Sequence, residues 1–272
     1  MTLFLQLAFL LSIILFSAKM AGYISIRFGQ PSVLGELLVG ILLGPTIINL
    51  FDLPFIEHEL TETVTKLGEL GVLLLMFLAG LELHLGEMRQ NMRVAAFAGL
   101  MGVVAPVLLG WGTGLLFGFN QPASIFLGLT LGATSVSISA QTLIELKVLR
   151  SRVGLSLLGA AVFDDILIIL LLSVFLALQG GAGSTGDVLI ILLRMILFLV
   201  ASVLFGLWAL PWIIRRVSHL PISQGLLTMS LVIMLAYGIA SEAFGGMAAI
   251  TGAFLAGLML ARTPEKERIE AG

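Results

Sequence analysis

The sequence predicts an all-α membrane protein, a polytopic helical bundle that forms a single transmembrane domain over residues 1–272 with no soluble domain. Two observations carry this prediction. Of the residues, 59% are hydrophobic and only 11% are charged, whereas about 25% of residues in soluble domains are charged. Apolar runs of membrane-spanning length also recur along the whole chain, separated by short charged or Gly- and Pro-containing breaks.

We predict nine transmembrane helices, because a helix needs roughly 20 apolar residues to cross about 30 Å of hydrocarbon. They are residues 2–19, 32–50, 67–83, 94–118, 123–145, 153–178, 188–210, 222–241 and 246–262. No basic residue precedes the first segment, which is therefore predicted to be a retained span and not a cleaved signal.

The distribution of Lys and Arg predicts the orientation of these segments. Of the 14 such residues, all except Lys66 and Arg194 lie in the loops that follow odd-numbered segments or, for Lys19 and Arg262, at the segment ends that join these loops. Because cytoplasmic loops retain Lys and Arg, we expect the N-terminus outside and the C-terminus in the cytoplasm.

Composition also narrows the classes of function. A chain without cysteine has neither a disulfide framework nor a thiolate metal site, and a formal net charge of -2 indicates no nucleic acid partner. The sequence contains no nucleophile elbow, phosphate loop or zinc motif. We therefore expect neither an enzyme nor a bound cofactor, and we expect membrane lipid around the helices.

An internal repeat is predicted between the second and ninth segments. Residues 33–44 align with residues 250–261, and each stretch contains two glycines five residues apart. The two segments would run in opposite directions, as an inverted-topology repeat requires. The alternative is that Gly and Leu are frequent in any membrane helix. A true repeat would pair the fifth and sixth segments with a twelfth and a thirteenth, which this sequence does not contain.

Asp164 and Asp165 are the main candidates for a functional site. They lie inside the sixth segment about 11 residues from its start, or roughly 16 Å at 1.5 Å per residue, close to the bilayer midplane. A charged side chain there costs at least about 2.5–3.5 kcal/mol, so such residues usually face a polar cavity on an ion or proton path. The alternative is that one aspartate is neutral or pairs with a base on another helix.

Two adjacent carboxylates at this depth suit exchange of a cation for protons. Both ligands compete for the same oxygens: low pH favours the protonated site without cation, and high pH favours the ionised site, which accepts a hard cation. We therefore predict a cation site at Asp164 and Asp165.

The fifth segment contains Thr134 and Ser135 at the same depth as the aspartates. Small hydroxyl residues beside glycine suit a discontinuous helix, whose freed carbonyls and half-helix ends can line a cation site. Ordinary close helix packing, in which these residues are also enriched, is the alternative. Glu36 and Glu82, near the cytoplasmic ends of segments two and three, are secondary candidates.

Five stretches of the chain together resemble the monovalent cation:proton antiporter family of the bacterial sodium/proton and potassium-efflux type, in matching order over essentially the whole chain. They are FGQPSVLGELLVGILLGP at 28–45, FLAGLE at 77–82, ATSVSIS at 133–139, AVFDD at 161–165 and GAFLAG at 252–257. The resemblance implies inverted repeats, crossed discontinuous helices and a dimeric, elevator-type transporter of thirteen helices in the bacterial inner membrane.

The same resemblance implies roles for individual residues. Asp165 would be the indispensable ion- and proton-binding carboxylate, Asp164 its partner, and Thr134 and Ser135 part of the crossed, unwound region. The Asp-Asp pair looks like the electrogenic sodium/proton members, whereas glutathione-gated potassium-efflux members typically carry Gln-Asp. We therefore expect sodium/proton antiport, with potassium/proton exchange as the alternative.

The length of the chain departs from the family pattern. Family members continue for roughly a hundred residues beyond the motif at 252–257, and the further part would contain the second crossed helix and a lysine that pairs with the first aspartate. The sequence is therefore interpreted as a shortened form with an incomplete second half. A non-transporting fragment, or a subunit of a split antiporter, is the alternative from another class of function.

Overall fold

The computed structural model describes residues 2–57, 59–82, 85–178, 185–218 and 224–270, and these residues contain helices and connecting turns but no β-strand. The all-α membrane fold predicted from the sequence is therefore confirmed for the described part of the chain. Among the described residues, seven helical spans are long and apolar enough to cross a membrane, and one of them is the interrupted stretch Gln121–Glu145. Two apolar helices, Ser32–Leu43 and Ala249–Leu260, are shorter.

The helices follow one another along the chain with short connections. They are α1 Leu3–Arg27, α2 Ser32–Leu43, α3 Glu59–Glu82, α4 Leu85–Leu116, α5 Gln121–Gly132, α6 Val136–Glu145, α7 Arg152–Leu178, α8 Thr185–Ser218, α9 Gly225–Ala240, α10 Ala249–Leu260 and α11 Lys266–Glu270. Each of the nine predicted segments overlaps at least one of them.

Several helix ends differ from the predicted ones. Helix α2 ends at Leu43 and not at residue 50, because Pro45 has no N–H to continue the helix and disfavours helical geometry in the residue before it. Helix α8 instead continues through Pro211 to Ser218, beyond the predicted end at residue 210. Membrane helices tolerate such a proline because neighbouring groups satisfy the freed backbone.

The fifth predicted segment is divided into two helices. Helix α5 ends at Gly132, α6 begins at Val136, and residues 133–135 between them are not helical. Ala133 adopts an extended conformation (φ -75°, ψ 117°). The chain therefore has a discontinuous helix where the Gly, Thr and Ser residues indicated one.

The chain divides into two compact units. The first consists of the described residues of Met1–Val72 and Gln141–Lys147. Within it, α1 packs on α2, and Gly35 lies against the carbonyl oxygen of Ala21, where a Cβ atom would overlap it. The same unit also contains a buried apolar cluster, formed by Leu10, Leu50, Ile56 and Leu60.

The second unit consists of the described residues of Leu73–Ala140 and Val148–Gly272. Helix α4 packs against α5 and α7, and α10 packs against α8 and α9. Helix α10 is buried from Thr251 to Leu260. This second unit contains both Asp164 and Asp165.

Glycines allow the close packing of α10. A Cβ at Gly252 would overlap the carbonyl oxygen of Tyr237 on α9, and a Cβ at Gly257 would overlap that of Phe77 on α3. From the other side, Gly80 of α3 lies against the carbonyl oxygen of Phe254 on α10. Backbones can approach so closely only where no side chain intervenes, so these contacts fix the position of α10 beside its neighbours.

Candidate functional site

The two aspartates lie at the centre of helix α7. Asp164 is the thirteenth and Asp165 the fourteenth of its 27 residues. Successive residues on an α-helix point about 100° apart. The two carboxylates therefore face different neighbours, and each has its own set of contacts.

Asp164 faces helix α4 and the break between α5 and α6. Its Oδ2 accepts a hydrogen bond of 3.1 Å from Thr134 Oγ1. Its side chain is only 8% exposed and lies against Gly99 and Gly102 of α4, where a Cβ atom would stand 3.1 Å and 3.5 Å from Asp164 Oδ1. The two glycines thus leave room for the carboxylate.

The two oxygens of this buried carboxylate differ in their hydrogen bonding within the described residues. Asp164 Oδ1 has no hydrogen-bond partner among the residues that the structure describes. A buried polar atom without a partner costs free energy, so this oxygen has capacity for a proton, a cation or a basic side chain.

Asp165 faces helix α10. Its Oδ2 accepts a hydrogen bond of 3.2 Å from Thr251 Oγ1. Asp165 and Thr251 also line a cavity of about 10 Å³, whose other walls are apolar side chains that include Met76, Val136 and Phe254. A cavity of this size has room for about one water-sized particle.

Within the part of the chain that the structure describes, one of the two predicted site residues in the break between α5 and α6 contacts an aspartate. Thr134 binds Asp164, whereas Ser135 Oγ lies 3.2 Å from Ser137 Oγ. The carbonyl oxygen of Ser135 accepts a hydrogen bond of 3.3 Å from Ser139 Oγ. The role predicted for Ser135 as a cation ligand therefore stays a prediction without a contact to Asp164 or Asp165 in the described residues.

The secondary candidates have other surroundings. Glu36, in the first unit, accepts hydrogen bonds from Lys19 Nζ at 2.9 Å and from Gln141 Nε2 at 3.2 Å. Glu82 is the last residue of α3 and is partly exposed. Within the described residues, no hydrogen bond or ion pair joins Glu82 to the aspartates, so its functional role also stays a prediction.

Sequence reasoning missed Thr251. It lies in the stretch 250–261 of the predicted internal repeat, but the alignment of that repeat rests on the glycines and assigns no role to Thr251. A hydroxyl residue at the first turn of α10, directly before Gly252, was the available signal. Its pairing with Asp165 depends on which helices are neighbours, which the sequence does not state.

Asp164, Asp165, Thr134 and Thr251 form the candidate site. Their polar atoms are all oxygens, from two carboxylates and two hydroxyls, and oxygen is the ligand that hard cations prefer. Within the described ranges, no cluster of three or more His, Cys, Asp or Glu side chains occurs. Oxygen ligands of this kind suit a hard cation or protons more than a soft transition metal.

Comparison with known proteins extends over nearly the whole chain. The family model described as "Sodium/hydrogen exchanger, transmembrane" matches residues 12–271. The probable Na(+)/H(+) antiporter GerT of Bacillus cereus is 40% identical over 262 residues, covering 96% of this chain and 67% of that protein. The Na(+)/H(+)-K(+) antiporter GerN of the same organism is 40% identical over 264 residues, covering 96% of this chain and 65% of that protein.

A third relative is the Na(+)/H(+) antiporter of Enterococcus hirae, which is 35% identical over 261 residues and covers 96% of this chain. The chain spans about two thirds of the length of these relatives, with 67%, 65% and 66% of their residues matched.

Proposed function

Because this chain belongs to the sodium/hydrogen exchanger family of multi-pass membrane proteins, we propose that it acts in monovalent cation/proton antiport at Asp164 and Asp165. Sodium is the proposed cation, and the two aspartates exchange it for protons. The proposal needs no cofactor apart from the transported ions and involves no enzymatic step.

The observation that carries this proposal is the pair of adjacent carboxylates at the centre of α7. One accepts a hydrogen bond from a hydroxyl in the break between α5 and α6, and the other from a hydroxyl on α10. Both hydroxyls can donate to an ionised carboxylate or accept a ligand when they rotate. Protonation of the carboxylates removes the negative charge that attracts the cation, and deprotonation restores it. One site therefore binds the two ions in turn, which is the requirement for antiport.

The names of the relatives support sodium as the cation, since GerT and the Enterococcus hirae protein are named as Na(+)/H(+) antiporters. The name of GerN also includes potassium, which supports potassium/proton exchange as the second candidate. The Asp-Asp pair, by its resemblance to sodium/proton members, favours the first.

The setting of this activity is also part of the proposal. We place the chain in the bacterial inner membrane with its N-terminus outside and its C-terminus in the cytoplasm, working as a homodimer by an elevator-type alternating-access movement. The chain spans about two thirds of the length of these relatives, so the antiport activity of the whole protein is part of the proposal. The alternative is a non-transporting fragment or subunit.

Transport in proteoliposomes tests the proposal. The purified chain is reconstituted with a trapped pH-sensitive dye, a proton gradient is imposed, and Na⁺, Li⁺ or K⁺ is added in turn. We expect Na⁺ to dissipate the gradient, and we expect Asp165→Asn to abolish the response. Asp52→Asn, a change in the turn after α2 far along the chain from α7, is the control that retains it. A folded chain that responds to no cation would contradict the proposal.

A further inference from the structure

We propose that Thr251 is a specificity-determining ligand of the transported cation, held on helix α10 so that its hydroxyl oxygen completes the site at Asp165. This inference rests on the proposed function. It assigns a cation-binding role to a residue outside both the Asp164–Asp165 pair and the break between α5 and α6.

The first argument is the contact itself. Thr251 Oγ1 donates a hydrogen bond of 3.2 Å to Asp165 Oδ2, and Thr251 is only 4% exposed. A hydroxyl has one donor and two acceptor lone pairs, and its hydrogen rotates to suit the neighbour. Without a cation the hydroxyl donates to the carboxylate, and with a cation bound it turns its lone pairs toward the ion.

The second argument is the space beside the contact. Asp165 and Thr251 supply the polar atoms of a cavity of about 10 Å³ that is otherwise lined by apolar side chains. A desolvated cation in such a small space cannot keep a hydration shell, so each oxygen of the wall has to replace a water molecule. Among the described residues that line this cavity, Thr251 is the one that carries a hydroxyl.

The third argument is the rigidity of the support. Helix α10 is buried over its whole length after Ile250, and Gly252, the next residue after Thr251, lies against the carbonyl oxygen of Tyr237. Tyr237 is itself held by a hydrogen bond of 2.9 Å from its hydroxyl to the carbonyl oxygen of Ser202. A ligand on a packed element keeps a fixed distance from Asp165, and a fixed distance between oxygens discriminates between ions of different radius.

The test is direct cation binding to the purified chain, measured by isothermal titration calorimetry with NaCl, LiCl and KCl at constant ionic strength. Thr251→Val removes the hydroxyl and keeps the branched shape, whereas Thr251→Ser keeps the hydroxyl. We expect Thr251→Val to weaken Na⁺ binding about tenfold, a typical effect of losing one charge-assisted contact. We expect Thr251→Ser to remain within about twofold of the parent.

Selectivity separates a cation ligand from a structural hydroxyl. The smaller Na⁺ has the stronger field and loses more than K⁺ when an oxygen ligand is removed, so the ratio of Na⁺ to K⁺ affinity should fall in Thr251→Val. The matched control is Thr263→Val. Thr263 is 5% exposed and its hydroxyl donates to the carbonyl oxygen of Leu260 at 2.7 Å, so this change removes an equally buried hydroxyl without touching the site.

The outcomes distinguish the two levels of the proposal. If the parent binds Na⁺ and Asp165→Asn does not, but Thr251→Val binds like the parent, the role of Thr251 is overturned and the proposed function stands. If the folded parent binds none of the three cations, the proposed function and this inference fail together. Should Thr251→Val not fold, Thr251→Ala takes its place, because it only removes atoms.

Discussion

Thr134 Oγ1 donates a hydrogen bond of 3.1 Å to Asp164 Oδ2, and this contact joins the broken α5–α6 segment to the centre of α7. Thr134 lies in the non-helical residues 133–135, so its side chain is not constrained by the helical spacing of its neighbours. The adjacent Asp165 is bound instead by Thr251 of α10. Two neighbouring carboxylates thus have separate hydroxyl partners on different parts of the fold.

Thr134→Val should weaken the site through Asp164. The change removes the only hydrogen bond that Asp164 Oδ2 receives from the described residues, and hydrogen bonds to charged groups contribute about 1.5–3 kcal/mol. We expect the apparent Na⁺ affinity in proteoliposome exchange to fall roughly tenfold.

The matched control for that experiment is Thr130→Val, on the last turns of α5. Its hydroxyl donates to the carbonyl oxygen of Phe126 at 2.9 Å within the same helix and takes no part in the hydrogen bonds from Thr134 to Asp164 and from Thr251 to Asp165. An equal loss in both variants would show that valine disturbs this part of the chain in general and does not act through Asp164.

Gly80→Ala should destabilise the packing of α3 on α10. A Cβ at Gly80 would overlap the carbonyl oxygen of Phe254, and forcing an extra methyl group into a packed contact costs about 1–3 kcal/mol. We expect the Tm of the purified protein in detergent to fall by roughly 2–4 °C for each kcal/mol.

Gly71→Ala is the comparison for Gly80→Ala, since it is on the same helix and a Cβ there meets nothing within 4 Å. Alanine is favoured over glycine in helices by about 0.5–1 kcal/mol, so this variant should unfold at the same temperature or slightly higher. A Tm for Gly80→Ala that equals the Tm of Gly71→Ala would refute the close contact.

Glu145→Ala should loosen the start of α2. Glu145 Oε2 accepts a hydrogen bond of 2.8 Å from the backbone N–H of Ser32, and its other oxygen accepts one from the Ser32 hydroxyl. The carboxylate therefore caps the N-terminus of α2 from a distant part of the chain, and loss of such a cap costs about 0.5–2 kcal/mol.

The loss of stability in Glu145→Ala is also measured by thermal unfolding, and Glu62→Ala is the variant with which it is compared. Glu62 pairs with Lys66 at 2.6 Å, but both side chains are largely exposed, at 73% and 68%, and exposed pairs of this spacing contribute only about 0.3–0.5 kcal/mol. We expect the larger loss of Tm in Glu145→Ala, and the reverse order would show that the cap is not formed.

Much of the fold could be predicted from the sequence, because long apolar runs and their breaks are local properties. Asp164 and Asp165 stood out because charged residues are costly inside an apolar segment. The interruption between α5 and α6 followed from Gly, Thr and Ser at the depth of the aspartates. Each of these inferences needs only the spacing along one segment.

The rest depends on contacts between segments far apart in sequence. The pairing of Thr251 with Asp165 joins residues 86 positions apart, and that of Gln141 with Glu36 joins residues 105 positions apart. Neither pairing follows from periodicity, since both require knowledge of which helices are neighbours. The position of Glu36 was predicted to be functional, but its ion pair with Lys19 could not be read from the sequence.

The most direct test of the central claim is the release of protons when Na⁺ binds. The purified chain in a weakly buffered detergent solution near neutral pH is titrated with NaCl, and the pH is recorded beside an Asp164→Asn/Asp165→Asn variant. Because cation and protons compete for the same carboxylates, the account predicts acidification by the parent, none by the variant, and an apparent Na⁺ affinity that rises with pH. Binding of Na⁺ without proton release and with a pH-independent affinity would contradict it.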